Sequence, residues 1–106
     1  MHFLTTAGYP YNMRDGKFEW DDEKAAQNAE KHGVTFDEAR PVFRDPFAIE
    51  LLDDREDYGE DRYILIGMSA TGVLVVVYAD RQERHRIISA RKAEPNERRF
   101  YHEQNQ

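Results

Sequence analysis

The stretch VLVVVYADRQERHRIISARKAEPNERRFYH, residues 73–102, contains an apolar run, a polar turn, a second strand-like run and a helical segment. Val73–Ala79 is rich in β-branched residues and predicts a buried strand. Arg84–Ala90 predicts the next strand, because apolar and polar residues mix there at strand length. Pro95 suits the first turn of a helix that ends near His102. The stretch therefore predicts a β-hairpin followed by a C-terminal helix.

The segment before the hairpin carries clear helix signals. Residues 18–21, FEWD, predict a short strand that ends in Asp21, a good N-cap for a helix over residues 22–32 that Gly33 terminates. Thr35 and Glu38 then match the capping box of a second helix. Pro41 keeps that helix short or bent.

Two further strands are predicted by the runs FAIELL (residues 47–52) and RYILIGM (residues 62–68). The charged segment DDREDYGED (residues 53–61) between them predicts a loop.

The predicted order of elements is β-α-α-β-β-β-β-α. It indicates an α+β fold with a twisted, mainly antiparallel sheet of four to five strands, two N-terminal helices and one C-terminal helix, the helices covering one face. A chain of 106 residues suits one domain, which we assign to residues 18–106. Residues 1–17 contain two glycines and a proline and predict an irregular N-terminal arm. Met13 within this arm is an alternative to Met1 as the native start.

Charge is distributed unevenly along the chain. The net charge is −6, yet residues 81–106 carry a net charge of +3 and residues 1–80 a net charge of −9. Clustered arginines favour phosphate, because a guanidinium binds phosphate oxygens in bidentate fashion. RNA is therefore the first partner to consider, although the overall negative charge opposes long-range attraction of nucleic acid.

The composition excludes several classes of protein. There is no cysteine, which rules out disulfides, thiol nucleophiles and cysteine-ligated metal and is compatible with the cytoplasm. No apolar run approaches the length that spans a bilayer. The seven carboxylates between Glu50 and Asp61 do not match the calcium-loop spacing, and the four histidines show no ligand spacing. We therefore predict no metal and no cofactor.

Five segments together resemble one known family. They are FEWD (residues 18–21), KHGV (residues 31–34), FRDP (residues 43–46), RIISARKA (residues 86–93) and ERRFY (residues 97–101). This combination is similar to BrnT, the toxin of a bacterial type II toxin–antitoxin pair. The resemblance implies a RelE-like fold and an endoribonuclease that inhibits translation and growth. It also implies neutralisation by a BrnA-type antitoxin, which carries a DNA-binding domain, so that operator DNA is contacted only through the complex.

Metal-independent RNA cleavage needs a base for the 2′-hydroxyl proton, an acid for the leaving 5′-oxygen and cations for the phosphoryl transition state. By analogy with RelE-like nucleases, we assign phosphate and transition-state roles to Arg62, Arg86 and Arg91. Tyr101 is a candidate for base stacking or proton transfer, and Glu50 for a general base. Further RNA-binding candidates are Arg81, Arg84, Lys92 and Arg98.

Each candidate also has a structural interpretation. Surface arginines commonly form weak ion pairs, and His32 at the end of the first helix is equally suited to stabilise that helix end or to act in catalysis. His85, a single histidine in a strand, gives only a weak indication of catalysis. The alternative function is a non-enzymatic module whose arginines bind an acidic segment of a partner in an operon-repressing complex.

Overall fold

The computed structural model describes residues 3–6 and 17–105. Within these ranges the chain forms six strands, three α-helices and one 3-10 helix. In chain order they are β1 (Phe3–Thr6), β2 (Phe18–Glu19), α1 (Asp22–His32), α2 (Phe36–Ala39), the 3-10 helix (Arg40–Arg44), β3 (Ile49–Asp53), β4 (Arg62–Ser69), β5 (Gly72–Arg81), β6 (Arg84–Lys92) and α3 (Pro95–Gln104). The predicted α+β fold is confirmed.

The described strands form one sheet in the order β1-β3-β4-β5-β6-β2. All neighbouring pairs are antiparallel except β2 and β6, which run parallel. Because β1 pairs with β3, the prediction of an irregular arm is wrong for residues 3–6. The rest of the predicted arm, with Met13, lies outside the described residues, and the division into arm and domain stays a prediction.

Local hydrogen bonds set the ends of the first two helices. The Asp21 carboxylate accepts the Lys24 N–H at 3.0 Å and so caps the start of α1. Gly33 ends α1 in the left-handed region, with φ of +70°, where a residue without a β-carbon is favoured. The capping box of Thr35 and Glu38 begins α2 as the sequence predicts.

Helices pack on both faces of the sheet, so the prediction that they cover one face is wrong. One face carries α1, α2 and the 3-10 helix, whose Phe36, Val42 and Phe43 join strand residues in a buried cluster. On the other face Tyr101 of α3 packs in a second buried cluster with residues of β3, β4 and β5, such as Ile49. We call these the α1 face and the α3 face. No helix in the described ranges has the length and apolarity that a bilayer span requires.

Asn28 links α1 to the edge of the sheet. Its side-chain amide donates to the backbone carbonyls of Ala90 at 2.8 Å and Val34 at 3.0 Å, and its carbonyl accepts the Ala90 N–H at 3.2 Å. Within the described part of the chain, β2 pairs with β6 at His85 and Arg86 and does not extend to Ala90. The buried Asn28 side chain therefore supplies the hydrogen bonds that a longer edge strand would give to Ala90.

Candidate functional site

Strand β6 contains a β-bulge. Val77 of β5 pairs with Ser89, whereas the next residue, Tyr78, pairs with Ile87. Ile88 therefore has no residue opposite it, and the side chains beyond it change face relative to strict alternation.

The bulge decides which arginines share a face. Ile87 and Ala90, which strict alternation places on opposite faces, both belong to the buried cluster of the α1 face. Arg91 pairs with Val75, which belongs to the cluster of the α3 face. Arg86 precedes Ile87 and so lies on the α3 face as well. Strict alternation along β6 would direct Arg86 and Arg91 to opposite faces, and the bulge places both on the α3 face.

Four of the predicted arginines lie at one end of the sheet, where β4 begins, β5 ends and β6 begins. Arg81 pairs directly with Arg84, and Ala79 pairs with Arg86. Arg62 is the first residue of β4, beside the end of β5. We call Arg62, Arg81, Arg84 and Arg86 the cationic end of the sheet. The sequence predicted each of them as a catalytic or RNA-binding residue, and the sheet brings them together.

Glu60 links two arginines of the cationic end. Its Oε1 accepts from Arg81 at 2.8 and 3.1 Å, and its Oε2 accepts from Arg62 at 3.4 Å. The hydrogen bonds from Arg81 lower the pKa of Glu60, so this carboxylate is charged at neutral pH. The Arg62 guanidinium also lies 4.2 Å from the centre of the Tyr58 ring, a cation–π contact. These contacts hold Arg62 in place.

Arg86 has a carboxylate partner on the neighbouring strand. Its Nη1 donates to the Glu19 Oε2 at 2.9 Å, and both side chains are about one-third exposed. Arg84 is exposed at the turn between β5 and β6. A phosphate that binds at the cationic end therefore competes with carboxylates for at least three guanidiniums, which is consistent with the negative charge of the chain.

His85 and Asp80 form a pair at the same end of the sheet. They lie directly opposite each other in the β5–β6 ladder, and the His85 Nδ1 is 2.5 Å from the Asp80 Oδ1. Because an ionised carboxylate can only accept, this contact favours the tautomer with its proton on Nδ1, in which Nε2 is the nitrogen that can accept a proton. This is the arrangement that orients an imidazole as a general base.

Aromatic rings surround the His85 imidazole. Phe43 stacks on it with ring centres 5.3 Å apart, and Tyr78 contacts it edge-on at 5.4 Å. Phe18 of β2 lies 5.8 Å away. The His85 side chain is only 10% exposed, whereas that of Asp80 is 45% exposed. Packing thus fixes the imidazole while its carboxylate partner stays in contact with solvent.

Sequence patterns indicated His85 only weakly as a catalytic residue and did not predict a role for Asp80. The available signal was the short turn: if residues 82 and 83 form a two-residue hairpin loop, residues 80 and 85 must face each other across the strands. That loop lacks the glycine or asparagine typical of such turns, although Gln82 and Glu83 do adopt positive φ of 49° and 66°.

Arg91 lies away from the cationic end. Five residues separate it from Arg86, which corresponds to roughly 15 Å along a strand. Its guanidinium donates to both carboxylate oxygens of Glu97 at 2.7 and 2.8 Å, and these hydrogen bonds raise the pKa of Arg91. Glu97 also accepts the Glu94 N–H at the start of α3. The contacts of Arg91 therefore join β6 to α3.

Tyr101 is buried at the junction of α3 and the loop before β3. Its hydroxyl donates to the Asp45 Oδ2 at 2.6 Å, and the same oxygen accepts the Met68 N–H at 2.7 Å. Burial, together with the hydrogen bond to Asp45, raises the pKa of the Tyr101 phenol. Met68 lies near the end of β4 that is distant from Arg62. The structure does not bring Tyr101 to the cationic end.

We expect Tyr101→Phe to lower the free energy of unfolding by about 1–3 kcal/mol, because it removes a hydrogen bond to a buried carboxylate. RNA cleavage by the folded variant should equal that of the unchanged protein. Urea denaturation and a cleavage assay on the same sample measure the two quantities. A variant of full stability that has lost cleavage would show instead that Tyr101 acts in the chemistry.

The two other predicted catalytic residues also lie apart from the arginines. Glu50 is buried on the α1 face, where it accepts a hydrogen bond from the Tyr78 hydroxyl. His32 is in the last turn of α1, next to Gly33, where a cation favours the negative end of the helix. Glu50 is therefore connected to His85 through Tyr78, whose hydroxyl bonds Glu50 and whose ring contacts the imidazole. His32 belongs to the end of α1.

Two predicted RNA-binding residues flank the start of α3. The Arg98 guanidinium donates to the Ala93 carbonyl at 2.9 Å, and Lys92 is exposed at the end of β6. Both lie at the Arg91 end of the strand rather than at the cationic end. Across residues 3–6 and 17–105, no three side chains of the metal-ligating types come close enough to hold an ion.

Comparison with protein families identifies a relationship for this chain. A family model described as "Ribonuclease toxin, BrnT, of type II toxin-antitoxin system" matches residues 20–97. The matched range begins after β2 and includes the cationic end, the His85–Asp80 pair and the start of α3. No curated protein matches the chain.

Proposed function

The chain belongs to the BrnT family of ribonuclease toxins of type II toxin–antitoxin systems, and from this premise we propose that it cleaves RNA by metal-independent phosphoryl transfer at the cationic end of the sheet. The observation that carries the proposal is the His85–Asp80 pair, which lies on the α1 face at the same end of the sheet as Arg84 and Arg86. Alternation along β6 directs Arg84 and Arg86 to the α3 face, so the base and the cations flank this end of the sheet from opposite faces.

In this mechanism the His85 Nε2 accepts the proton of the ribose 2′-hydroxyl. The resulting 2′-oxygen attacks the adjacent phosphorus and the bond from phosphorus to the 5′-oxygen of the next nucleotide breaks. The leaving 5′-oxygen takes a proton from solvent water, so the products are a 2′,3′-cyclic phosphate and a 5′-hydroxyl. The scissile phosphate lies across the end of the sheet in this mechanism, where the long side chains of Arg62, Arg84 and Arg86 reach it from the α3 face and donate to the phosphoryl oxygens as negative charge develops on them. The chain's own side chains supply base and charge stabilisation, so the reaction needs no metal.

The biological part of the proposal follows from the family. A type II toxin has a protein antitoxin, and we propose that a BrnA-type antitoxin neutralises this chain. Cleavage of cellular RNA then inhibits translation in the cytoplasm, and the toxin contacts operator DNA only through the antitoxin complex. An antitoxin that covers the cationic end would block phosphate from the arginines.

We expect the purified protein to cleave RNA in the presence of excess chelator and to leave 2′,3′-cyclic phosphate ends. Arg62→Gln/Arg86→Gln should reduce the rate by about 10²–10³-fold, the range for loss of a transition-state donor. The control is Lys31→Gln/Arg99→Gln, which removes the same charge at exposed helix positions. Mass spectrometry of the product ends and thermal melting of each variant complete the test.

Two results would contradict the proposal. Cleavage that requires added Mg²⁺ would exclude the metal-independent reaction. Absence of cleavage by a folded protein that still binds its antitoxin would favour the non-enzymatic partner-binding module.

A further inference from the structure

A small pocket opens beside the His85 ring, on the α1 face of the molecule. It has a volume of about 190 Å³ and is lined by Phe18, Arg40, Pro41 and Arg44. The two arginines are the first and last residues of the 3-10 helix, and both are exposed. None of the four lining residues is acidic.

The contacts of Arg40 leave its guanidinium available to a stronger ligand. It lies 5.3 Å from the centre of the Phe18 ring, and its ion pair with Asp37 is 3.5 Å long. The Arg40 and Asp37 side chains are 44% and 73% exposed. An ion pair of this length and exposure contributes little, so a phosphate that two arginines bind together can replace it.

The pocket adjoins the proposed catalytic base through aromatic rings. Phe18, which forms one wall, lies 5.8 Å from the His85 ring and 4.9 Å from Phe43. Phe43, which precedes Arg44, stacks on His85. A strand of RNA with its reacting ribose at His85 can therefore place a neighbouring nucleotide against Phe18 at the pocket.

We infer that this pocket binds the phosphate of a nucleotide that flanks the scissile bond, with Arg40 and Arg44 as its ligands and Phe18 as the apolar wall for the ribose or base. The combination of cations with a partly exposed aromatic ring is typical of sites that bind single-stranded nucleic acid. This inference rests on the proposed ribonuclease function. It assigns Arg40 and Arg44 to substrate binding, apart from the arginines of the cationic end.

The test uses a fluorescent 2′-O-methyl oligoribonucleotide, which cannot form the attacking 2′-oxygen and so reports binding alone. We expect Arg40→Gln/Arg44→Gln to weaken its binding at least about tenfold and to reduce the slope of log K against log salt by about 0.7–1.4. Lys31→Gln/Arg99→Gln, which loses the same charge, is the control and should change both values far less. With cleavable RNA, the double variant should show a raised KM and an unchanged kcat.

A second variant separates binding from folding. Arg40→Lys/Arg44→Lys keeps the charge but not the bidentate geometry. We expect it to retain the salt slope and to lose part of the affinity, even if the glutamine variant melts at a lower temperature than the control.

The failures of the two proposals are distinguishable. If the unchanged protein neither binds nor cleaves RNA, the proposed function fails and this inference fails with it. If it binds and cleaves RNA but Arg40→Gln/Arg44→Gln behaves like the control, only the inference fails. Loss of antitoxin binding with unchanged RNA affinity would also overturn it, and would assign the pocket to a protein partner.

Discussion

Replacement of His85 by Gln is expected to reduce kcat for RNA cleavage by about 10²–10⁴-fold, the usual contribution of a general base. Glutamine keeps a polar side chain of similar reach between the aromatic rings but cannot accept a proton at neutral pH. Binding of the 2′-O-methyl oligoribonucleotide should be nearly unchanged, because the arginines that hold phosphate are intact. Single-turnover cleavage and fluorescence anisotropy measure the two effects separately.

Asp80→Asn provides the matched comparison. An amide opposite the His85 Nδ1 can donate instead of accept, which favours the ring form whose proton is on Nε2 and removes the base. We expect a loss of kcat in the same direction with little change in melting temperature, since Asp80 is 45% exposed. A folded His85→Gln variant that cleaves at the normal rate would exclude His85 as the base, whatever the Asp80 variant does.

The boundaries of the helices could be predicted because their signals are local. Asp21 and Gly33 enclose α1 at the predicted residues, and the capping box begins α2 where the sequence places it. A cap requires only atoms within four residues of each other, so its residues are close in sequence as well as in space. The hairpin strands were predicted for a similar reason, since β-branched residues pack well in a sheet interior.

The bulge at Ile88 could not be predicted because it depends on the pairing of two strands. Nothing in the composition of β6 distinguishes Ile88 from Ile87 as the extra residue; the choice follows from which side chains fit each face of the sheet. Its effect on the site is large, since it places Arg86 and Arg91 on one face. Helix α3 itself was predicted, but the face on which it packs was not. The sequence does not specify which side of the sheet the chain crosses after β6.

The arginines of the cationic end could be predicted by residue type, whereas the proposed base, His85, could not. A concentration of arginines is visible in the sequence, whereas the pairing of Asp80 with His85 arises from the turn that joins β5 and β6. The same turn divides the arginines of β6 into two groups, since Arg84 and Arg86 follow it directly and Arg91 lies farther along the strand. The resemblance to the family indicated a nuclease, and the hairpin brings the proposed base and the proposed phosphate-binding arginines to one end of the sheet.

The second large effect is on stability: we expect Asn28→Ala to lower the free energy of unfolding by about 2–4 kcal/mol. The substitution leaves the Ala90 N–H and the carbonyls of Ala90 and Val34 without the bonds that Asn28 gives them. Ala90 is fully buried, so water does not readily replace the hydrogen bonds that its N–H and carbonyl lose. Chemical denaturation followed by fluorescence of Trp20, which packs against the core of the α1 face, measures the change.

Two comparisons isolate the role of the Asn28 amide. Asn96→Ala removes an exposed asparagine and should change the free energy of unfolding by no more than about 0.5 kcal/mol. Asn28→Asp keeps the size of the side chain, but its carboxylate cannot donate to two carbonyls, so it should destabilise the protein at least as much as Asn28→Ala. If Asn28→Asp were as stable as the unchanged protein, the link between α1 and β6 would not depend on these hydrogen bonds.

Because the free energy of unfolding totals about 5–15 kcal/mol in such domains, the loss expected for Asn28→Ala is a large fraction of it. Since Ala90 lies on β6 with His85 and Arg86, loss of this link should also lower the temperature at which RNA cleavage is lost.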